Sequence, residues 1–139
     1  SVLPLDSDGT VYLTRDFHYA LGAEAIEAVS GGIDGKETPE AAAARELEEE
    51  LGIRAEEWIP LGRTDPFTTS VDSPAYLFLA RCLDFGEKKN DPHEVVTTVR
   101  IPLSEAVEMV SKSVIAHAPS ALLILKAEAY LRVSAAKVP

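Results

Sequence analysis

The chain has a single cysteine, Cys82, and a single tryptophan, Trp58. One cysteine excludes an intrachain disulfide and suits a reducing compartment, so a cytoplasmic location is expected. No apolar run approaches the roughly 18 residues that a membrane-spanning helix needs, and the first residues lack the order of a signal peptide. Cations are also scarce: 13 Lys and Arg stand against 23 Asp and Glu, a net charge of −10. That balance argues against a nucleic-acid backbone as partner, because phosphate contacts need clustered Lys and Arg. It leaves room for a phosphorylated small molecule, provided a divalent cation stands between it and the protein.

What is present suffices for one domain with a sizeable core: 139 residues, 46% of them hydrophobic. Val2-Leu3-Pro4-Leu5 and Val11 to Arg15 flank the turn signal Asp6-Ser7-Asp8-Gly9 and read as a hairpin. Glu24 to Val29 is a third strand. Trp58 to Arg63, Ala75 to Leu83 and Glu94 to Ile101 are further strands. Tyr76 to Ala80 is apolar on both faces, which suits a central strand. Helices are expected over Ser104 to Ser111 and Pro119 to Val133. Strands and helices mix without a regular βαβ rhythm, so the expected fold class is α/β in the broad sense, a mixed sheet between helices.

The densest signal is the run from Gly31 to Ile53, GGIDGKETPEAAAARELEEELGI. Thr38 is placed to cap a helix, Pro39 suits its first position, and Gly52 falls just past its end. With Glu46 at zero and a helical advance of about 100° per residue, Glu50 falls near 40° and Glu49 near 300°. Three carboxylates therefore share a face. Ala43, Leu47, Leu51 and Ala44 fall at about 60° to 160° and form the core stripe. Arg45 and Glu48 take the remaining solvent-facing arc, and Arg45 can pair with Glu49 four residues on. Like charges at these spacings cost roughly 0.2–0.5 kcal/mol per pair on an exposed helix. A hard divalent cation reverses that sign by taking the carboxylate oxygens as ligands. The preceding loop, Ser30 to Gly35, lets backbone approach an ion or a phosphate through its glycines. Glu37 adds a fourth carboxylate at the helix entrance. Taken alone, such a helix is equally well a solvated acidic face.

The order of the whole segment resembles the Nudix box. Gly31, Glu37, Arg45-Glu46-Leu47, Glu49-Glu50 and Gly52-Ile53 fill all nine of its fixed positions over 23 residues. The flanks, Val11 to Tyr19, Ile26 to Gly32, Tyr76 to Arg81 and Pro102 to Ala106, are similar to the ADP-ribose (ADP-sugar) pyrophosphatase branch. The resemblance implies an α/β/α sandwich over residues 1–139 and hydrolysis of a nucleoside diphosphate sugar, with Mg²⁺ or Mn²⁺ as cofactor. Carried over by position, Glu46, Glu49, Glu50 and the Ser30 carbonyl are metal ligands. Arg45 orients a glutamate, and Glu37 acts through water or a neighbouring ligand. Glu27, Gly31, Gly32, Arg15 and His18 fall where substrate is bound, and Glu94 is the candidate general base, with Glu49 beside it in catalysis. His18 stands where many members carry arginine, Val29 where many carry proline, and Pro92 where another acid is common. That branch usually has extra N-terminal strands that help form a dimer. This chain opens at what reads as the first core strand, so either those strands lie outside the given sequence or the protein lacks them; a homodimer is expected. A dinucleoside polyphosphate substrate and a non-catalytic nucleotide-binding module are the alternative readings.

Other residues are read as packing. Cys82 and Trp58 are assigned to the core or its edge, Phe17 and Tyr19 to strand packing, and Arg63 to the surface. His93 and His117 have no partners at ligand spacing.

Overall fold

The computed structural model describes residues 1–88 and 96–136. Its elements are β1 (Val2–Pro4), β2 (Thr10–His18), β3 (Ala23–Glu27), α1 (Pro39–Leu51), β4 (Ile53–Thr64), β5 (Ala75–Phe85), β6 (Thr97–Pro102), α2 (Leu103–Ser111) and α3 (Ala118–Ala135). The strands form two three-stranded sheets, β1-β5-β4 and β3-β2-β6, rather than one mixed sheet. In the first, β1 runs parallel to β5 and β4 antiparallel to it; the second is antiparallel throughout.

The first strand corrects the hairpin expectation. The Asp6–Gly9 turn closes, with Gly9 N–H donating to the Asp6 carbonyl at 3.1 Å and Asp6 N–H to the Thr10 carbonyl at 2.8 Å. Beyond it only the Leu5–Val11 bridge joins the two runs. Val2 and Leu3 are both fully buried, pointing to opposite sides, and so need a neighbour inside the molecule. β5 supplies it as the central strand of its sheet, as its two-sided apolar run requires.

Alternation along β5 divides the core into two. Leu77 and Leu79 join Leu3, Val11, Leu13, Leu123 and Ile124 on the side of α2 and α3. Phe78 and Ala80 join Val2, Tyr12, Leu47 and Leu51 on the side of α1. Helices thus cover both sides of the sheet layer, the expected sandwich. Burial in α1 falls on Ala42, Ala43, Leu47 and Leu51, with Ala42 in place of the expected Ala44. Cys82 is exposed, against the core expectation: its backbone takes φ 55°, which breaks the alternation, and Leu83 instead packs against the α1-side cluster. Trp58 packs edge-on against Phe78 with ring centroids 6.2 Å apart. Phe17 and Tyr19 are exposed and pair with each other edge to face at 5.3 Å. No helix among the described residues is long and apolar enough to cross a membrane.

Candidate active site

Helix α1 begins and ends where its sequence punctuation places it. Ala41 N–H donates to the Thr38 hydroxyl at 3.2 Å, Pro39 opens the helix, and Gly52 ends it at φ 66° with its N–H turned back to the Glu48 and Leu47 carbonyls. A side chain at Gly52 would also meet the backbone of 86–88 within 2.9 Å. These two ends fix the rotation of the helix and so the direction of its carboxylates.

Arg45 does not lie out in solvent as its helical angle suggests. It folds back over the acidic face. Its Nη1 donates to Glu46 Oε1 at 2.7 Å and to Glu49 Oε2 at 3.1 Å, and its Nε donates to Glu37 Oε1 at 3.2 Å. Nη2 reaches Glu37 Oε2 at 3.3 Å and the Gly32 carbonyl at 3.0 Å. Asp34 N–H donates to the same Glu37 carboxylate at 3.2 Å. Arg45 therefore ties the loop after β3 to the helix and offsets part of the glutamate repulsion. The hydrogen bonds from Arg45 and then from the Asp34 backbone hold the Glu37 carboxyl below its ordinary value. Glu37, then Glu46, push the guanidinium further up, so it stays charged at any ordinary pH.

Below this clamp lies an open cavity of about 570 Å³. The loop Ser30–Ile33 and the first turns of α1, with Ala42, Ala43 and Glu46, form one wall. The segment around Pro66, Phe67 and Asp72–Tyr76 forms another, and Glu27, His117 and Pro119 also line it. Gly31 is required here. A Cβ on it would fall 2.0 Å from Glu46 Cδ, so the Glu46 carboxylate rests directly against backbone. No lysine or arginine occurs among the described residues lining the cavity.

The assigned residues divide accordingly. Glu27, Ser30, Gly31, Gly32 and Glu46 line the cavity. Glu49 meets Glu46 through their shared guanidinium nitrogen, and Glu50 follows on the same face of α1. Among the described residues no three acidic, histidine or cysteine side chains stand close enough to hold an ion as placed. Arg15 is exposed on β2 and does not reach the cavity. Glu94 lies outside the described residues.

One feature of the cavity escapes sequence reasoning. His18 Nε2 lies 3.3 Å from Glu27 Oε1, and His117 Nδ1 lies 3.3 Å from Glu27 Oε2. His117 Nδ1 is also 2.8 Å from the Ser120 hydroxyl, which accepts from Ala28 N–H at 2.9 Å. His117, set aside for want of a partner, is thus part of the site. Its carboxylate partner stands 90 positions away in the chain, so only the 117–120 spacing carried any trace of it.

Residues 1–121 match the NUDIX domain family. The chain belongs to the Nudix family. It is 30% identical over 129 residues to the ADP-ribose pyrophosphatase of Bacillus subtilis (strain 168), covering 89% of this chain and 68% of that protein. It is 36% identical over 83 residues to the CMP-5'-(N-acetyl-N-hydroxy-3-aminopropyl)phosphonate hydrolase of Streptomyces rubellomurinus, covering 60% of this chain and 40% of that one. A solved structure described as an ADP compounds hydrolase superposes with a TM-score of 0.84 over 96% of this chain and 72% of its own, at 22% identity. The fold is shared with that structure, and this Nudix chain is a pyrophosphohydrolase.

Proposed function

We propose that this Nudix protein hydrolyses the diphosphate of ADP-ribose or a related nucleoside diphosphate sugar, giving a nucleoside monophosphate and a sugar phosphate, with Mg²⁺ or Mn²⁺ as cofactor. The observation that carries the reading is the cavity wall. A carboxylate, Glu46, rests on a backbone that has no side chain, and the described lining offers no Lys or Arg for a diphosphate. An anionic substrate fits such a wall only with a cation between them. The assigned ligands, Glu46, Glu49, Glu50 and the Ser30 carbonyl, are all oxygen donors, the set a hard divalent ion takes. The similarity to an ADP-ribose pyrophosphatase supports the choice of substrate.

A divalent ion held there supplies positive charge to the phosphoryl oxygens and makes water a better nucleophile near neutral pH. The chain's own residues do the rest. Arg45 holds Glu46 and Glu49 in fixed directions and binds the Gly32 carbonyl, so the loop that faces the diphosphate is tied to the carboxylates. Gly31 and Gly32 let the diphosphate come close to backbone. Water attacks phosphorus, the bridging P–O bond breaks, and Glu94 accepts the proton. Glu94→Gln should then lower the maximal rate about 100-fold or more with little change in substrate affinity. An unchanged rate would remove Glu94 from that role.

The test of the function is a nucleotide-sugar panel, with ADP-ribose, other nucleoside diphosphate sugars, a CMP-linked compound and a dinucleoside polyphosphate, assayed with Mg²⁺, with Mn²⁺ and with chelator. Metal-dependent release of AMP, fastest from ADP-ribose, is the expected result. Binding without turnover of any member would favour a nucleotide sensor instead.

A further inference from the structure

A nucleoside diphosphate sugar brings parts of unlike chemistry to a cavity: a charged diphosphate, a hydroxyl-rich sugar and a base with flat faces of low polarity. Of the large apolar side chains that the described residues expose to solvent, two line this cavity: Ile33, 45% exposed, and Phe67, 60% exposed. They come from different walls. Ile33 directly follows Gly31-Gly32, the backbone that faces the diphosphate, in the loop before α1. Phe67 belongs to the connection between β4 and β5.

The place of Phe67 is set by its backbone rather than by packing. Ser70 N–H and Val71 N–H both donate to its carbonyl, at 3.0 and 3.1 Å, which closes a turn on it. Just before it, Arg63 Nε donates to Asp65 Oδ1 at 3.1 Å and ties the start of the connection to the end of β4. The ring belongs to neither core cluster and has no ring partner among the described residues. It therefore keeps a phenyl face toward water, which a flat ligand laid on it removes from solvent. A sugar in the same place would leave hydroxyls without partners against a phenyl ring and an aliphatic chain.

We propose that Phe67 and Ile33 form the base subsite: the nucleobase stacks on the Phe67 ring and covers the Ile33 side chain while the diphosphate lies along Gly31-Gly32. Every base has a face that can stack, so this contact supplies affinity for the nucleotide half and not a choice among bases. The assignment rests on the nucleoside diphosphate sugar reading.

The test compares wild type, Phe67→Ala, Phe67→Tyr and Ile33→Ala with Mg²⁺ on ADP-ribose and on its analogue that carries a methoxy group in place of adenine. Base–aromatic stacking is worth about 1–3 kcal/mol by alanine substitution, a rise in KM of about five- to 140-fold. Phe67→Ala should show that rise with kcat within about twofold, and the rise should vanish on the base-free analogue. Phe67→Tyr keeps the ring and should keep most of the affinity. Ile33→Ala, which loses aliphatic burial without stacking, should raise KM by about two- to fivefold. An exposed side chain outside the core is replaced at little cost, so the melting temperature of Phe67→Ala should stay close to that of wild type. If wild type turns over ADP-ribose while Phe67→Ala or Ile33→Ala keeps its KM, or if KM rises equally on the base-free analogue, the base subsite is overturned and the function stands. If wild type turns over no nucleoside diphosphate sugar, the function falls and the subsite with it.

Discussion

Replacing Arg45 with methionine keeps the aliphatic stem and removes the guanidinium that spans Glu37, Glu46 and Glu49. The Arg45 side chain is 29% exposed and Glu49 45%, while Glu37 and Glu46 are 18% and 16%, so the group is neither a bare surface cluster nor a buried one. Exposed ion pairs contribute about 0.2–1 kcal/mol each, and three carboxylates share this cation. Freed glutamates at helical spacing add back roughly 0.2–0.5 kcal/mol of repulsion per pair. The sum is about 1–3 kcal/mol, or roughly 3–10 °C in melting temperature for a chain of this size. The assay is thermal melting of wild type and Arg45→Met, each with chelator and with excess Mg²⁺. In chelator the variant should melt lower by about that amount. With Mg²⁺ the gap should narrow, because a cation bound only to the folded state takes over the neutralisation of Glu46 and Glu49. A gap of equal size in both conditions would refute the argument, since arginine and metal would then not share the same carboxylates.

Glu50→Gln should leave a folded protein whose turnover of ADP-ribose falls by about two or more orders of magnitude, since a neutral amide binds a hard cation poorly; wild-type-like turnover at saturating Mg²⁺ would remove Glu50 from the ligand set. Gly52→Ala should destabilise by more than the ~1–2 kcal/mol of a left-handed alanine, because its Cβ also meets backbone at 2.8 Å; a denaturant midpoint equal to wild type would contradict the placement of 86–88. For pH, the Glu37 carboxyl is held below its ordinary 4.5 by Arg45, so it contributes stability above about that value. That contribution is lost as pH falls through the lower folded value, and Glu37→Gln should flatten this part of the acid limb in pH-dependent melts.

Much of this site is legible in the sequence because it is local. Thr38, Pro39 and Gly52 are signals read within one helical turn, and 3.6-residue periodicity carries the carboxylates from Glu46 to Glu50 without reference to the rest of the molecule. β5 was legible as central for a similar reason: an apolar run on both faces admits only an interior place. What sequence periodicity misplaces are residues decided by distant partners. Arg45 has the helical angle of a solvent residue, yet its side chain is long enough to cross the acidic face and reach Glu37 and Gly32. The hairpin failed because Val2 and Leu3 gain more from burial beside β5 than from pairing with β2, a choice that involves a strand some 75 positions later. Cys82 failed in the opposite direction, since the alternation of β5 breaks at its left-handed backbone and Leu83 takes the place beside Phe78 and Ala80. His117 is the furthest case. Its carboxylate partner Glu27 reaches it only when the start of α3 meets the end of β3, and a histidine beside alanine and proline carries no sign of that. Residues that bind what lies near them in sequence were therefore readable from the chain. Those whose partners lie far along it became readable only once the two halves of the chain were brought together.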